Sequence, residues 1–363
     1  MYPSAQEIEI KRRIAVIGAG LAGASCAHML SEAGFQVEVF EKSRGAGGRM
    51  ATRRAEWADA AGVTHQASFD HGAPAFHVTD AAFAEFLAPA RRAGQILPLR
   101  PDLADGAAEQ RWLAAPDMPA LCRSLLDGLT LRTQHTVTAI QHSATGWRLQ
   151  IAETEAVGEF ALVVLAIPPQ QAAVLLQQHQ PAWAQQAGAI EMVPHWTLMA
   201  VSSAAVDGAA LAQSGSTATG VITLPQGGPL AQLIRNDLKP GRRQLAGRYH
   251  WVAHASPAWS LAHLEDHPAQ VQAQLQQAVM ESTGMALEWQ YATVHRWRYA
   301  TLAAGADGVD ALHCWDHATQ LGVCGDAWGG GGVQGAWRSA QALARAILEG
   351  YPRDTQSVLD AVC

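Results

Sequence analysis

Charge is scarce in this chain. Of its 363 residues 16% are Asp, Glu, Lys or Arg, only three are lysines (Lys11, Lys42, Lys239), and the formal net charge is −7. A protein that grips nucleic acid by its phosphates needs a basic field; none is here, so an anionic partner must be held locally. No uninterrupted apolar run reaches the length of a membrane helix. The five cysteines (Cys26, Cys122, Cys314, Cys324, Cys363) contain no C-x-x-C pair, which reads as buried free thiols in a reducing compartment. There is neither a G-x-S-x-G elbow nor an H-E-x-x-H pair to support hydrolysis. His313-Cys314-Trp315-Asp316-His317 packs its metal-capable donors too closely to wrap one ion, so no metal is expected. Lys11-Arg12-Arg13 before an apolar run mimics a signal peptide, but the glycine turn that follows reads better as nucleotide-binding. The expectation is a soluble, cytoplasmic protein with no nucleic-acid or membrane partner.

What is present is apolar residues, 49% of the chain, and 33 glycines. At about 150 residues per domain the length suggests two domains. The apolar run Ile14-Ala15-Val16-Ile17 predicts a buried strand, and Gly18, Gly20 and Gly23 after it have G-x-G-x-x-G spacing. That spacing gives a tight turn, close approach to a pyrophosphate and close helix packing. A second strand, Gln36 to Phe40, stops at Glu41, 18 positions past Gly23 (41 − 23), where a carboxylate accepts from ribose hydroxyls and argues against a 2′-phosphate. The loop Lys42 to Met50 follows, with Arg44 and Arg49 around Gly47-Gly48, suited to wrapping a diphosphate.

Further on, apolar spacing predicts a helix from Asp80 to Arg92, and residues 94–110 read as a surface loop. A helix is expected from Met118 to Leu126, a hairpin from Thr136–Gln141 and Trp147–Ile151, and a strand buried on both faces at 161–166. Residues 173–317 hold most of the tryptophans, and alternation there at Thr197–Val201, Val221–Leu224 and Arg248–Ala253, with a helix from Pro268 to Ser282, predicts an antiparallel sheet with helices. Lys239, before Pro240-Gly241, reads as a solvated turn residue. A strand ending at Gly325-Asp326 leads to Gly329–Gly332 and a helix from Val333 to Leu348.

These phrases together resemble the flavin-dependent oxidoreductases of the amine-oxidase superfamily and, within it, the bacterial renalases. The resemblance runs in order through Phe40–Met50, Arg111-Trp112-Leu113, Pro116-Asp117-Met118, Arg235-Asn236, Lys239-Pro240, His254-Ala255-Ser256, Trp259-Ser260, His295-Arg296-Trp297, Tyr299-Ala300, Cys324-Gly325-Asp326 and Val333–Trp337. It departs at His71, where the renalase pattern has methionine, and at Pro74-Ala75, where it has a polar and aromatic pair. His71 therefore either faces the flavin or substrate, or is bonded within its own loop.

The resemblance implies an α/β fold: a Rossmann-like FAD-binding domain of the amine-oxidase/hydroxylase type from 1–75, 111–172 and 318–363, and an α+β substrate domain from 76–110 and 173–317. It implies non-covalent FAD contacted by Gly18, Gly20, Leu21, Ala22, Gly23, Glu41, Lys42, Arg44, Gly48, Arg49, Met50, His71, Gly72, Ala73, Val137, Ala166, Gly325, Asp326, Val333, Gln334 and Ala336. His71, His195, Trp196, Asn236, His254, Trp259 and Trp297 are the expected substrate-lining residues. The implied reaction is hydride transfer from 2- or 6-dihydronicotinamide dinucleotides to flavin N5, with dioxygen reoxidising the flavin to give hydrogen peroxide. An FAD-dependent amine oxidase is the alternative. A non-catalytic binding protein of this fold fits less well, because Gly325, Asp326 and Gly335 are intact.

Overall fold

The computed structural model describes residues 13–100, 110–203, 220–224, 227–303 and 311–350. In chain order the first elements are β1 (Arg13–Ile17), α1 (Leu21–Glu32), β2 (Gln36–Glu41), β3 (Thr52–Ala58), β4 (Thr64–Asp70), α2 (Ala81–Arg92), β5 (Ile96–Pro98), β6 (Trp112–Ala114) and α3 (Ala120–Leu125). Next come β7 (Thr130–Thr133), β8 (Val137–Ser143), β9 (Gly146–Ile151), β10 (Val157–Phe160), β11 (Leu162–Leu165), α4 (Pro169–Leu176) and α5 (Pro181–Ala189). The remainder is β12 (Met192–Ser203), β13 (Val221–Thr223), β14 (Leu230–Arg235), β15 (Arg248–Ala255), α6 (Pro257–Ala262), α7 (Pro268–Thr283), β16 (Glu288–Leu302), β17 (Cys314–Asp316), β18 (Leu321–Val323), α8 (Asp326–Gly329) and α9 (Gly332–Gly350).

The chain forms two compact units. Among the described residues the first comprises 13–48, 122–191 and 311–350, and the second 49–121 and 192–303 less the segments outside the description. These divisions fall elsewhere than the boundaries drawn from sequence: 49–75 and 111–121 pack with the second unit, 173–191 and 311–317 with the first. The reason is long-range. Asn236 and Lys239 bind the backbone and side chain of Asp70, which ties β4 to the second unit.

In the first unit a six-stranded sheet has the order β17-β18-β11-β1-β2-β7. Its strands are parallel except for the antiparallel β17–β18 pair. Ile14–Val16 and Leu162–Leu165 are fully buried, which is why both strands read as unbroken apolar runs. α9 lays Ala336, Ala340, Leu343, Ala344 and Ile347 on its buried stripe. The expected hairpin is β8–β9, extended to three strands by β10. Cys26, Cys122, Cys314 and Cys324 are free and buried, as expected, and burial pushes the Cys122 thiol up to about 12, far from nucleophilic. Cys363 lies outside the described residues.

The second unit is built on a five-stranded antiparallel sheet, β13-β14-β15-β12-β16. One face carries Trp196, Leu198, Ala200, Trp251 and Ala253, covered by Val271, Leu275, Ala278 and Val279 of α7. α7 ends at Gly284 in the left-handed region (φ 66°), the usual glycine stop. α2 begins where predicted, with Asp80 accepting from the Ala82 and Phe83 amides at 2.8 and 3.2 Å. One correction concerns the expected loop 94–110: Ile96–Pro98 is a strand paired with Trp112–Ala114, a non-local pairing that local composition cannot show. Residues 101–109 of that loop lie outside the description. Among the described residues no helix is long and apolar enough to cross a membrane.

Candidate functional site

The first unit builds a cradle almost entirely from backbone. Gly18 sits at φ 106° and Gly23 packs on it so closely that a Cβ at Gly23 would collide with the Gly18 carbonyl oxygen. A Cβ at Gly18 would collide with Ala166, at the end of β11. α1 thus starts hard against the turn, with Gly20 as its N-cap residue and Leu21 and Ala22 in its first turn. The following loop folds over the same turn: the Gly47 amide donates to the Ala19 carbonyl at 2.9 Å. A Cβ on Gly48, itself at φ 51°, would lie 3.1 Å from Gly20 Cα. Glu41, at the tip of β2, accepts from the Ala19 amide at 2.9 Å and the Ser43 amide at 2.8 Å, which fixes its carboxylate beside the turn. Lys42 and Arg44 are exposed, and Lys42 Nζ reaches Gln171 Oε1 at 3.4 Å. Val137 opens β8.

Two strands away, at the same carboxyl edge of this sheet, β18 runs out into Cys324-Gly325-Asp326. The Gly325 amide donates to Ser339 Oγ of α9 at 2.9 Å, and Asp326 is buried. Gly330, Gly331 and Gly332 are all left-handed (φ 89°, 90° and 67°), a turn that side chains resist, and it delivers the chain to the 19-residue helix α9. The first turn of α9 (Gly332, Val333, Gln334, Gly335) is the positive end of the helix dipole, with Ala336 following.

The second unit presents a different surface. The face of its sheet opposite α7 carries His195, Thr197, His254, His295 and Trp297: Thr197 is level with His254 on one side and His295 on the other, and His195 with Trp297. The β3–β4 hairpin packs on this same face, with Phe69 5.9 Å from His250 and 6.1 Å from Tyr291. Just beyond β4, His71 lies 5.1 Å from the Trp297 ring and 4.9 Å from His295, and Trp297 Nε1 donates to the His71 carbonyl at 3.0 Å. His71 Nδ1, His195 Nε2 and His254 Nε2 are sealed from solvent and have no hydrogen-bond partner among the described residues.

Burial keeps these imidazoles neutral. It lowers His71 to about 4, with help from the neighbouring His295, and His254 to about 3, with help from His195, Lys239 and His71. His195 and His295 are also lowered, chiefly by burial. Asp70 is the adjoining carboxylate, and it is fully committed. It takes Lys239 Nζ, Arg242 Nε at 2.9 Å and Thr52 Oγ1 at 2.7 Å, and both Asp70 and Lys239 are wholly buried side chains. The two cations outweigh burial and hold the Asp70 carboxyl below its usual range, while burial lowers Lys239 to about 8. Asn236 ties the same strand down, accepting from the Asp70 amide at 3.2 Å and donating to the Ser68 carbonyl at 2.9 Å.

Comparison with known proteins supplies a family. Residues 102–348, more than half of the chain, match the flavin containing amine oxidoreductase family, and residues 16–89 match the NAD(P)-binding Rossmann-like domain. The chain belongs to the flavin containing amine oxidoreductase family. A 45-residue stretch is 49% identical to the L-amino acid oxidase of Bothrops pictus, spanning 12% of this chain and 9% of that protein. In three dimensions it is similar to cyclohexylamine oxidase from Brevibacterium oxydans IH-35A (TM-score 0.65, 13% identity, 93% of this chain and 98% of that one). An oxidoreductase from Methanosarcina mazei is also similar (TM-score 0.54, 14% identity, 93% and 100%). At such identities these likenesses show the fold.

Membership of this family implies a flavin cofactor, and the first unit fits one. The glycine turn makes backbone approaches that a Cβ on Gly18 or Gly23 would break, Glu41 is held beside it with acceptor capacity to spare, and a long helix begins shortly after Gly325-Asp326. Of the cofactor contacts that the sequence suggests, Arg49, Met50, His71, Gly72 and Ala73 belong to the second unit. There Arg49 donates to the Ala300 carbonyl at 3.3 Å and its own carbonyl accepts from Ala73 at 2.8 Å. Gly72 is tight against that carbonyl, and Met50 is buried.

Of the expected substrate-lining residues, His71, His195, His254 and Trp297 come together, with Asn236 bracing β4 behind them. Trp196 and Trp259 do not join them. Trp196 is on the α7 side with Nε1 donating to the His263 carbonyl at 2.9 Å, and Trp259 packs against the same core, stacked 4.1 Å from the His263 ring. Lys239 is a correction: the turn at Gly241 is real (φ 73°), but the side chain points inward to Asp70 because that buried carboxylate needs counter-charge. Asp70, Arg242 and His295 were not among the expected lining residues. In the sequence His295 stood out only within the phrase His295-Arg296-Trp297.

Proposed function

We propose that this flavoprotein is an FAD-dependent oxidase of renalase type, taking hydride from dihydronicotinamide dinucleotides reduced at ring position 2 or 6. One observation carries the reading: the polar face of the second unit offers neutral imidazoles with unpaired ring nitrogens beside an indole, while the adjoining carboxylate is already bound to two cations. An alkylammonium substrate calls for a free carboxylate to offset its desolvation. A dihydronicotinamide is planar and uncharged in its ring, and its carboxamide both donates and accepts, which suits imidazole partners. Its oxidation restores an aromatic ring, so placement rather than acid–base help is the main demand.

In this reading the turn Gly18–Gly23 with Glu41 holds the adenosine half of non-covalent FAD, and Gly325, Asp326 and the first turn of α9 hold the flavin half. Bound FAD supplies a two-electron acceptor that dioxygen reoxidises, giving hydrogen peroxide. His71, His195 and His254 orient the carboxamide through their free nitrogens, Trp297 and His295 flank the planar ring, and Asn236 keeps β4 and His71 in register. The amine reading is favoured by the proteins whose fold the chain shares, cyclohexylamine oxidase and a putrescine oxidase bound to putrescine.

The test is anaerobic mixing of the purified flavoprotein with isomeric dihydronicotinamides and with a panel of amines. Bleaching of the flavin by the dihydronicotinamides supports the reading; bleaching by amines alone replaces it with the alternative. Release of FAD into the supernatant on acid precipitation checks that the cofactor is not covalently bound.

A further inference from the structure

Arg53 lies at the edge of the imidazole face and has no use in the account so far. It is exposed and has no ion-pair or hydrogen-bond partner among the described residues. Its position follows from register. Arg53 and Trp57 are four residues apart on β3 and so share a face, and Trp57 sits 5.3 Å from Tyr291 of β16. Phe69, the cross-strand partner of Arg53, stacks on the same Tyr291 at 6.1 Å. Four residues on from Tyr291 in β16 is His295, and one residue past β4 from Asp70 is His71, so the hairpin carries Arg53 toward the end of the face where these two rings meet. The electrostatics agree: after burial, the Arg53 charge is what holds His295 below its ordinary range, and it adds to burial and His295 in lowering His71.

A cation kept in water beside a buried, neutral, planar-ring surface fits a ligand that is apolar at one end and anionic at the other. We propose that Arg53 is the specificity-determining cation that holds a phosphate of the substrate's nucleotide tail at the solvent edge of the imidazole face. The proposal rests on the dihydronicotinamide reading. Guanidinium suits this task because it presents paired donors to phosphate oxygens and stays charged at all working pH values.

The experiment compares three substrates reduced at the same ring position: the dinucleotide, the mononucleotide, and the phosphate-free 1-methyl compound. In R53Q, kcat/KM for the phosphate-bearing substrates falls about five- to tenfold relative to the phosphate-free one, carried by KM, as expected for one partly solvated charge-assisted contact. A loss on the dinucleotide alone places the guanidinium on the distal phosphate, and a loss on both places it on the proximal one. Calorimetric binding of the oxidised dinucleotide weakens by the same factor and becomes less sensitive to salt. R53K restores part of the loss. R54Q removes the same charge from the neighbouring residue, whose side chain is 82% exposed and 3.6 Å from Asp117, and leaves the substrate ratio as in wild type. An unchanged ratio in R53Q overturns the Arg53 proposal while leaving the dihydronicotinamide reading standing. Failure of all three compounds to bleach the flavin overturns both.

Discussion

In the proposed function the two units recognise their ligands by opposite means. The cradle of the first is backbone: glycines at Gly18, Gly23 and Gly48 where a Cβ meets main chain, and one carboxylate, Glu41, pinned by two amides. The face of the second is side chain: three histidines and a tryptophan brought level by strand register, with His71 packed beside them, braced by a buried carboxylate with two cations. A backbone cradle serves any chain that carries the same turn, which is why it goes with a shared cofactor. A side-chain face can be rewritten residue by residue, which is where substrate choice resides.

The sharpest way to break the comparison is to put a side chain into the cradle. Gly23→Val drives a branched Cβ into the Gly18 carbonyl oxygen, and neither backbone can yield without moving α1 off β1. The expected cost is on the order of 4 kcal/mol, about a thousandfold in flavin retention. It is checked by flavin absorbance after gel filtration and by far-UV circular dichroism. Gly34→Ala is the control: Gly34 is left-handed (φ 91°) with nothing within 4 Å, so about 1 kcal/mol of stability is lost and flavin retention is kept. Equal flavin loss in both variants would mean the cradle owes nothing to the close approach at Gly23.

That the cradle could be read from sequence and the face only partly so has the same origin. Gly18, Gly20, Gly23 and Glu41 act within one strand–turn–helix–strand unit, and local spacing specifies local geometry. The partners of the face are remote. Lys239 and Asp70 are 169 positions apart, and Trp297 and His71 are 226 apart. Lys239 looked solvated because its own neighbourhood is a turn; only the buried Asp70 explains why it points inward. Trp196 and His195 are adjacent in sequence, yet alternation along β12 sends one to the α7 core and the other to the polar face. The period of two was visible, but which parity faced α7 was not.

The second prediction disturbs the brace. Lys239→Met leaves Asp70 with Arg242 as its only cation in a site without solvent, and the expected destabilisation is about 3–5 kcal/mol in urea unfolding. Asp70→Asn strands Lys239 and Arg242 instead and costs a similar amount. The double variant loses clearly less than the sum, because the second change removes a charge that the first had left unpaired. Strict additivity would show that the pair is not coupled.

A smaller effect comes from the imidazoles. His71 is lowered from 6.5 to about 4 by burial and by His295, so between those values the unfolded chain takes up a proton that the folded one refuses. Its contribution to stability is therefore fully present above pH 6.5 and is lost as pH falls toward 4, up to about 3 kcal/mol across the window. His71→Gln has no proton to gain there, so the slope of its unfolding free energy against pH is shallower than that of wild type by up to ~1.4 kcal/mol per pH unit. Equal slopes would place the proton on His71 in the folded protein, giving the face a cation where the dihydronicotinamide reading requires a neutral acceptor.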